Sequence, residues 1–91
     1  MFKVHELKIL KQFYDAVKDG TKTFEIRLND RNYQVRDIIQ FCVINDDGTL
    51  TRDKTLYEIT YVLDDARYML EGYVALSIIK RGHTPCWLHT T

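Results

Sequence analysis

Three charged side chains, Lys22, Glu25 and Arg27, stand two or three residues apart in the segment GTKTFEIR. A lysine ammonium holds an anion as a point charge, an arginine guanidinium suits a phosphate, and a carboxylate accepts hydrogen bonds from exocyclic amines of nucleobases. A partly desolvated lysine can also act as a base, because burial lowers its pKa. On a solvated strand face the same charges would only pair with one another, so the segment alone leaves both interpretations open.

A short helix precedes these residues and fixes where they start. Leu10, Phe13, Tyr14 and Val17 recur at helical spacing, which predicts one buried helical face. Gly20 follows directly and is suited to end the helix in a left-handed conformation. We therefore expect the charged segment to leave the end of a helix.

The segment KTFEIRL alternates as a strand does. Glu25 and Arg27 share one face, whereas Lys22 has the parity of Phe24 and Ile26. If the strand extends back to Lys22, the lysine side chain lies on the same face as Phe24 and Ile26. It would then point towards the interior at the mouth of a barrel.

Further strands follow in DIIQFCVIN, KTLYEITYVL and YVALSIIK, and NDDGT joins the first two as a hairpin turn. HELKIL reads as a first strand. The sequence therefore predicts an α+β fold, a small mixed β-barrel of five to six strands with one main helix after the first strand. We expect one domain over residues 1–80 and a tail over residues 81–91.

Length and composition exclude several classes of function. The chain has 91 residues, 45% of them hydrophobic, which suits a single folded domain. Thirteen basic and thirteen acidic residues cancel, which argues against non-specific coating of DNA but leaves room for a local basic cleft. No apolar run has the form of a signal peptide or a membrane span, and two cysteines, Cys42 and Cys86, suit a reducing compartment. We therefore expect a cytoplasmic protein without a membrane partner.

The pattern G-x-K-x-x-E-x-R, formed by Gly20, Lys22, Glu25 and Arg27, resembles the signature of ASCH domains in the PUA-like superfamily. The flanking blocks HELKIL, NDRNYQVRD, EITYVLDD and GYVALSI are similar to one ASCH-like group of small bacterial and phage proteins, the domain of unknown function DUF3850. The resemblance covers nearly the whole chain. It implies a PUA-like β-barrel with a helix beside its mouth, and a cleft lined by the motif that binds RNA or a modified nucleotide.

A subset of ASCH proteins resembles this chain more loosely and implies an alternative. Those proteins are amidohydrolases that remove an acyl group from modified cytidine, using a lysine after the helix, a threonine on the next strand and a distant glutamate. Lys22 matches the lysine, but Glu25 stands where the threonine is expected and Thr23 lies two positions earlier. If the protein is an enzyme, these three residues are its catalytic candidates. The departure favours binding over chemistry.

Other residues are candidates to border the same cleft. Arg31 lies in the loop after the strand, and His5 lies on the first strand, although a lone histidine is more often structural than catalytic. Tyr73 opens the last predicted strand and is a candidate for stacking on a base. Three further tyrosines offer similar surfaces: Tyr33, Tyr61 and Tyr68.

The tail holds His83, Cys86 and His89 at three-residue spacing. A structural zinc site needs four ligands, so we predict no metal, and no motif calls for a cofactor. Trp87 in the tail suits a contact with a protein partner. The resemblance to small ASCH-like proteins of phages and mobile elements implies a third interpretation, a protein that inhibits a host nucleoprotein machine such as a CRISPR effector. We expect a monomer or a weak dimer.

Overall fold

A computed structural model describes residues 2–83 as one curled sheet with one helix. The elements, in chain order, are β1 (Val4–Leu10), α1 (Lys11–Asp19), β2 (Phe24–Leu28), β3 (Ile38–Ile44), β4 (Leu50–Leu63) and β5 (Tyr73–His83). The strand order is β1-β3-β4-β5-β2, with β1 parallel to β3 and the other neighbours antiparallel. Of the predicted mixed barrel of five to six strands, the mixed strand directions, five strands and the helix after the first strand are confirmed. The sheet curls into a half-barrel. Of the predicted tail, residues 84–91 lie outside the described residues.

The helix end and the hairpin turn that the sequence predicts are both present in the backbone. Gly20 ends α1 at φ 90°, in the left-handed conformation that a residue with a side chain rarely adopts, and its N–H donates to the Val17 carbonyl. Gly48 closes the β3–β4 hairpin at φ 86°, where its N–H donates to the Asn45 carbonyl. These two turns set the direction in which β2 and β4 begin.

The core lies on one face of the curled sheet, and α1 packs against it beside β1 and β3. Tyr14 and Val17 of α1 are buried against it, and the Tyr14 hydroxyl donates to the Asp53 carboxylate. Burial would raise the pKa of Asp53, but the hydrogen bonds from Tyr14 and Thr55 outweigh it and lower that pKa. The inward strand residues are Leu7, Ile9, Ile39, Phe41, Val43, Tyr57, Ile59, Val74, Leu76 and Ile78.

Strand β2 faces the opposite way from the prediction. Its apolar side chains point outward, with Phe24 46% and Ile26 55% exposed, while Glu25 points inward and is only 4% exposed. The register with β5 explains this parity, because Glu25 lies opposite the buried Leu76. The expectation that the side chains of Phe24 and Ile26 point into the interior of the fold was therefore wrong.

A second buried polar group ties the start of β1 to the start of β3. Asp37, which is 2% exposed, accepts hydrogen bonds from the main-chain N–H groups of Lys3 and Gln34, and its Oδ2 lies 2.8 Å from His5 Nε2. Burial alone would raise the pKa of Asp37, but these hydrogen bonds outweigh it and the pKa is lowered. The carboxylate thus stabilises the parallel β1–β3 pair as an anion.

Replacing Asp37 with Asn should lower the free energy of unfolding at neutral pH by about 1–3 kcal/mol, because the buried donors lose a charged acceptor. A carboxyl group whose folded pKa is lowered stabilises the fold above its unfolded pKa of about 4, and loses this contribution as the pH falls through the folded value. The variant should therefore lose less stability than the natural chain between neutral pH and about pH 2.

Urea unfolding at neutral and acid pH, followed by circular dichroism, measures both effects. Asp64→Asn is the control, because Asp64 is exposed and should leave both quantities unchanged. An Asp37→Asn variant with the natural pH dependence would contradict a stabilising anion at this position.

Candidate functional site

Within residues 2–83 the sheet has two open edges, and both follow from its strand order. In this part of the chain β1 and β2 are the outermost strands, and each has one neighbour. The Ile78 N–H donates to the Thr23 carbonyl and the Asn29 N–H to the Gly72 carbonyl. In an antiparallel ladder every second residue bonds to the neighbouring strand, so the odd-numbered residues of β2 pair with β5. The even-numbered residues of β2 therefore direct their N–H and C=O groups at the open edge.

The same reasoning applies to β1, and two arginines lie across its open edge. The Ile38 N–H donates to the Lys3 carbonyl, so the even-numbered carbonyls of β1 face away from β3. Arg27 Nη2 donates to the Lys8 carbonyl at 2.8 Å, and Arg31 Nη1 donates to the Glu6 carbonyl at 3.2 Å. Side chains from β2 and its following loop therefore join the two edges where a closed barrel would have a backbone ladder. We call this junction between β1 and β2 the seam.

Glu25 holds the charged residues of the seam together. One carboxylate oxygen, Oε1, accepts a hydrogen bond from Lys22 Nζ, and the other, Oε2, accepts from Arg27 Nε at 2.9 Å. The side chains of Lys22 and Arg27 are 20% and 23% exposed, so both cations are largely covered. We call Lys22, Glu25 and Arg27 the charged cluster. A single buried carboxylate thus fixes two cations that also reach solvent.

Lys22 additionally caps the open edge of β2. Its Nζ donates to the Phe24 carbonyl at 2.6 Å and lies 4.8 Å from the centre of the Phe24 ring, within the range of a cation–π contact. The position of the Phe24 carbonyl agrees with the ladder, since an even-numbered carbonyl of β2 faces the seam. The lysine is thereby held beside an aromatic face.

A groove of about 670 Å³ runs along the seam, bounded by the charged cluster. One wall is β2, and the other is the end of β1 with the first turn of α1. Its lining residues are Lys8, Ile9, Leu10, Phe13, Lys22, Phe24, Glu25, Ile26, Arg27, Leu28 and Tyr73. Three cations and one carboxylate in this lining leave an excess of positive charge in a groove that is otherwise apolar and aromatic.

The structure brings some of the predicted site residues together. The charged cluster and Tyr73 line the groove, while Arg31 joins the seam beyond the lining residues. Burial raises the pKa of Tyr33, and the charges of Arg31 and Arg27 act against this rise. Tyr33 therefore lies near both arginines, although it belongs to the core.

Other predicted residues lie elsewhere. His5 is buried, bonds to Asp37 and packs 4.8 Å from the Tyr33 ring, so it does not line the groove. Thr23 lines a separate pocket of about 150 Å³, which it shares with Lys22 but not with Glu25. Tyr61 and Tyr68 are exposed outside both cavities.

Two parts of the groove were missed by the prediction. Leu10 and Phe13 were assigned to the buried face of the helix, but each is about half exposed and lines the groove. Their positions could have indicated this exposure. Leu10 precedes α1 and Phe13 lies in its first turn, whereas the buried residues of the helix, Tyr14 and Val17, lie further along it. The open edge of β2 was also missed, because a strand sequence does not reveal its neighbours.

Among residues 2–83, no three histidine, cysteine, aspartate or glutamate side chains are grouped as metal ligands. The same part of the chain has no helix with the length and apolar character needed to span a bilayer.

Residues 4–78 match the model of the family described as Domain of unknown function (DUF3850). The chain belongs to this family. It is also 36% identical over 78 residues to an Uncharacterized 12.9 kDa protein in GpA 3'region of Escherichia phage P2, an alignment that covers 84% of this chain and 68% of the phage protein. The region matched to DUF3850 includes the charged cluster and all five strands, the last of them in part.

Replacing Glu25 with Gln should lower the free energy of unfolding by about 2 kcal/mol or more, because two largely covered cations lose their anionic partner. Urea unfolding at neutral pH measures the change. Glu6→Gln is the matched control, since Glu6 pairs with Arg52 at 3.0 Å on the exposed surface, where such pairs contribute about 0–1 kcal/mol. Equal losses in both variants would show that the Glu25 pairs are no stronger than surface pairs.

Proposed function

We propose that this DUF3850 protein is a nucleotide-binding module of the PUA-like type, which takes single-stranded RNA or a modified nucleotide in the groove along the seam. The observation that carries the proposal is the charged cluster itself. A buried glutamate presents Lys22 and Arg27 at the edge of an apolar, aromatic groove. The cations thus suit the phosphate of a nucleotide, and the aromatic groove suits its base.

The cations supply the phosphate contacts. Lys8, Lys22 and Arg27 line the groove against one carboxylate, which gives a local positive charge in a chain whose total charge is zero. Glu25 acts as a positioning residue, because its two oxygens are already engaged by Lys22 and Arg27. Arg27 is thereby restrained, which reduces the side-chain entropy lost when it binds an anion.

The aromatic side chains supply faces for a base. Phe13, Phe24 and Tyr73 lie among the lining residues, and each exposes more than a third of its surface. Stacking of a base on an aromatic side chain contributes about 1–3 kcal/mol and tolerates all bases. The volume of the groove lies within the roughly 300–1,000 Å³ usual for small-molecule sites, so it suits a nucleotide rather than a duplex.

Binding fits the arrangement better than amide hydrolysis. Nucleophilic attack needs the attacking group and its base within hydrogen-bond reach at one site. Thr23 lies outside the groove that contains Glu25, and Lys22 is engaged by Glu25 and the Phe24 carbonyl.

Replacing Lys8 with Ala should weaken binding of a fluorescein-labelled single-stranded RNA, because a phosphate contact is lost while the fold is untouched. Fluorescence anisotropy over a salt series measures this, and the slope of log affinity against log salt should fall by about 0.7–1. Lys3→Ala is the matched control, since Lys3 is exposed and does not line the groove. Its slope should equal that of the natural chain.

Three outcomes would overturn this function. One is the absence of binding to RNA and nucleotides even at low salt, and another is an equal effect of both lysine variants. The third is a host protein that stays bound after nuclease treatment and binds Lys22→Ala unchanged, which would favour a protein inhibitor.

A further inference from the structure

Ile26 occupies the centre of the open edge of β2. As an even-numbered residue of β2 it directs both its N–H and its C=O at the seam. Its neighbours along the edge differ, because the Phe24 carbonyl accepts from Lys22 and the Leu28 carbonyl accepts from the Asp30 N–H. Within residues 2–83 we find no partner for the N–H or C=O of Ile26. An open donor and an open acceptor therefore stand side by side in the wall of the groove.

Unpaired main-chain groups at a strand edge are normally covered or paired. Here three cationic side chains, Lys22, Arg27 and Arg31, cap carbonyls of the two edges, yet none of them reaches Ile26. Ile26 is 55% exposed and lines the groove, so a ligand in the groove lies beside this residue. Among the residues of β2 that face the seam, Ile26 is thus the one whose carbonyl is left open beside its own open N–H, which suits a ligand that both donates and accepts.

We propose that the N–H and C=O of Ile26 pair with the Watson–Crick edge of a bound nucleobase, an inference that rests on the proposed function. Each standard base carries an acceptor next to a donor on this edge, so one residue with an open donor and acceptor can bind any of them. A base held in this way lies in line with the strand edge.

The pairing defines the class of nucleotide. A base in a duplex has its Watson–Crick edge occupied, so the site accepts single strands and free nucleotides and excludes duplexes. A methyl group at N1 of adenine removes the acceptor and is excluded as well. A methyl group on the ribose or on C5 of a pyrimidine leaves the edge intact and is tolerated.

Titration of the nitrogen-15-labelled full chain with adenosine monophosphate tests this by nuclear magnetic resonance. The Ile26 amide proton should move downfield, with smaller changes at the odd-numbered amides of β2, which donate to β5. Ribose 5-phosphate, which lacks a base, should move signals of the charged cluster without the Ile26 shift. The monophosphate of 1-methyladenosine should bind at least about 3- to 10-fold more weakly than adenosine monophosphate, as expected for lost hydrogen bonds.

The variant Ile26→Pro removes the N–H, and Ile26→Val is its matched control with the N–H retained. Proline is tolerated on an edge strand where its missing N–H faces away from the ladder. The proline variant should keep the dispersed spectrum of the fold and lose binding by about 3- to 10-fold, while the valine variant binds as the natural chain does.

The outcomes separate this inference from the proposed function. Adenosine monophosphate that binds without moving the Ile26 amide, and no more tightly than its 1-methyl derivative, would overturn the role of Ile26 and leave the groove as a nucleotide site. If no nucleotide moves any groove signal, the proposed function fails and this inference fails with it.

Discussion

The half-barrel depends on how its two open edges are held. In a closed barrel β1 and β2 would share a backbone ladder, but here guanidinium groups of Arg27 and Arg31 donate to carbonyls of β1. Arg27 keeps this position because Glu25 accepts from its Nε, and the ion pairs with Lys22 and Arg27 offset the cost of burying the Glu25 carboxylate. One inward carboxylate therefore holds both cations of the charged cluster in place at the seam.

This arrangement joins stability to the candidate site. Arg27, which bridges the seam, also lines the groove, so the same side chain serves the fold and the candidate site. A ligand with phosphate and base would add bonds to groups that the fold has already ordered, which keeps the entropy lost on binding small. A substitution in the charged cluster should therefore change both ligand affinity and the stability of the fold. Substitutions of Lys8 or Ile26 should change affinity alone, because neither side chain bonds across the seam.

Much of the architecture could be read from local patterns. The helix and its end at Gly20 and the hairpin at Gly48 follow from spacing and turn chemistry, which act over a few residues. The orientation of β2 could not be read in this way. Phe24 and Ile26 have the pattern of a core face, but β2 pairs with β5 about 50 residues later, and the register there turns Glu25 inward. The residues of the site were recognised by type, but their roles depend on the long-range pairing that makes β2 an edge.

The pairing of β2 with β5 also bears on how the protein is made. On the ribosome β2 is synthesised roughly 50 residues before Ser77 and Tyr73, its partners at either end, which is on the order of several seconds at ~5–20 residues per second. Throughout that interval the nascent chain carries an apolar, β-forming pentapeptide with no strand to join. Glu25 and Arg27 place two charges among the three apolar residues of that pentapeptide, and charges in such segments generally disfavour association between chains. The pair that later holds the seam is thus also what makes the unpaired segment less prone to associate.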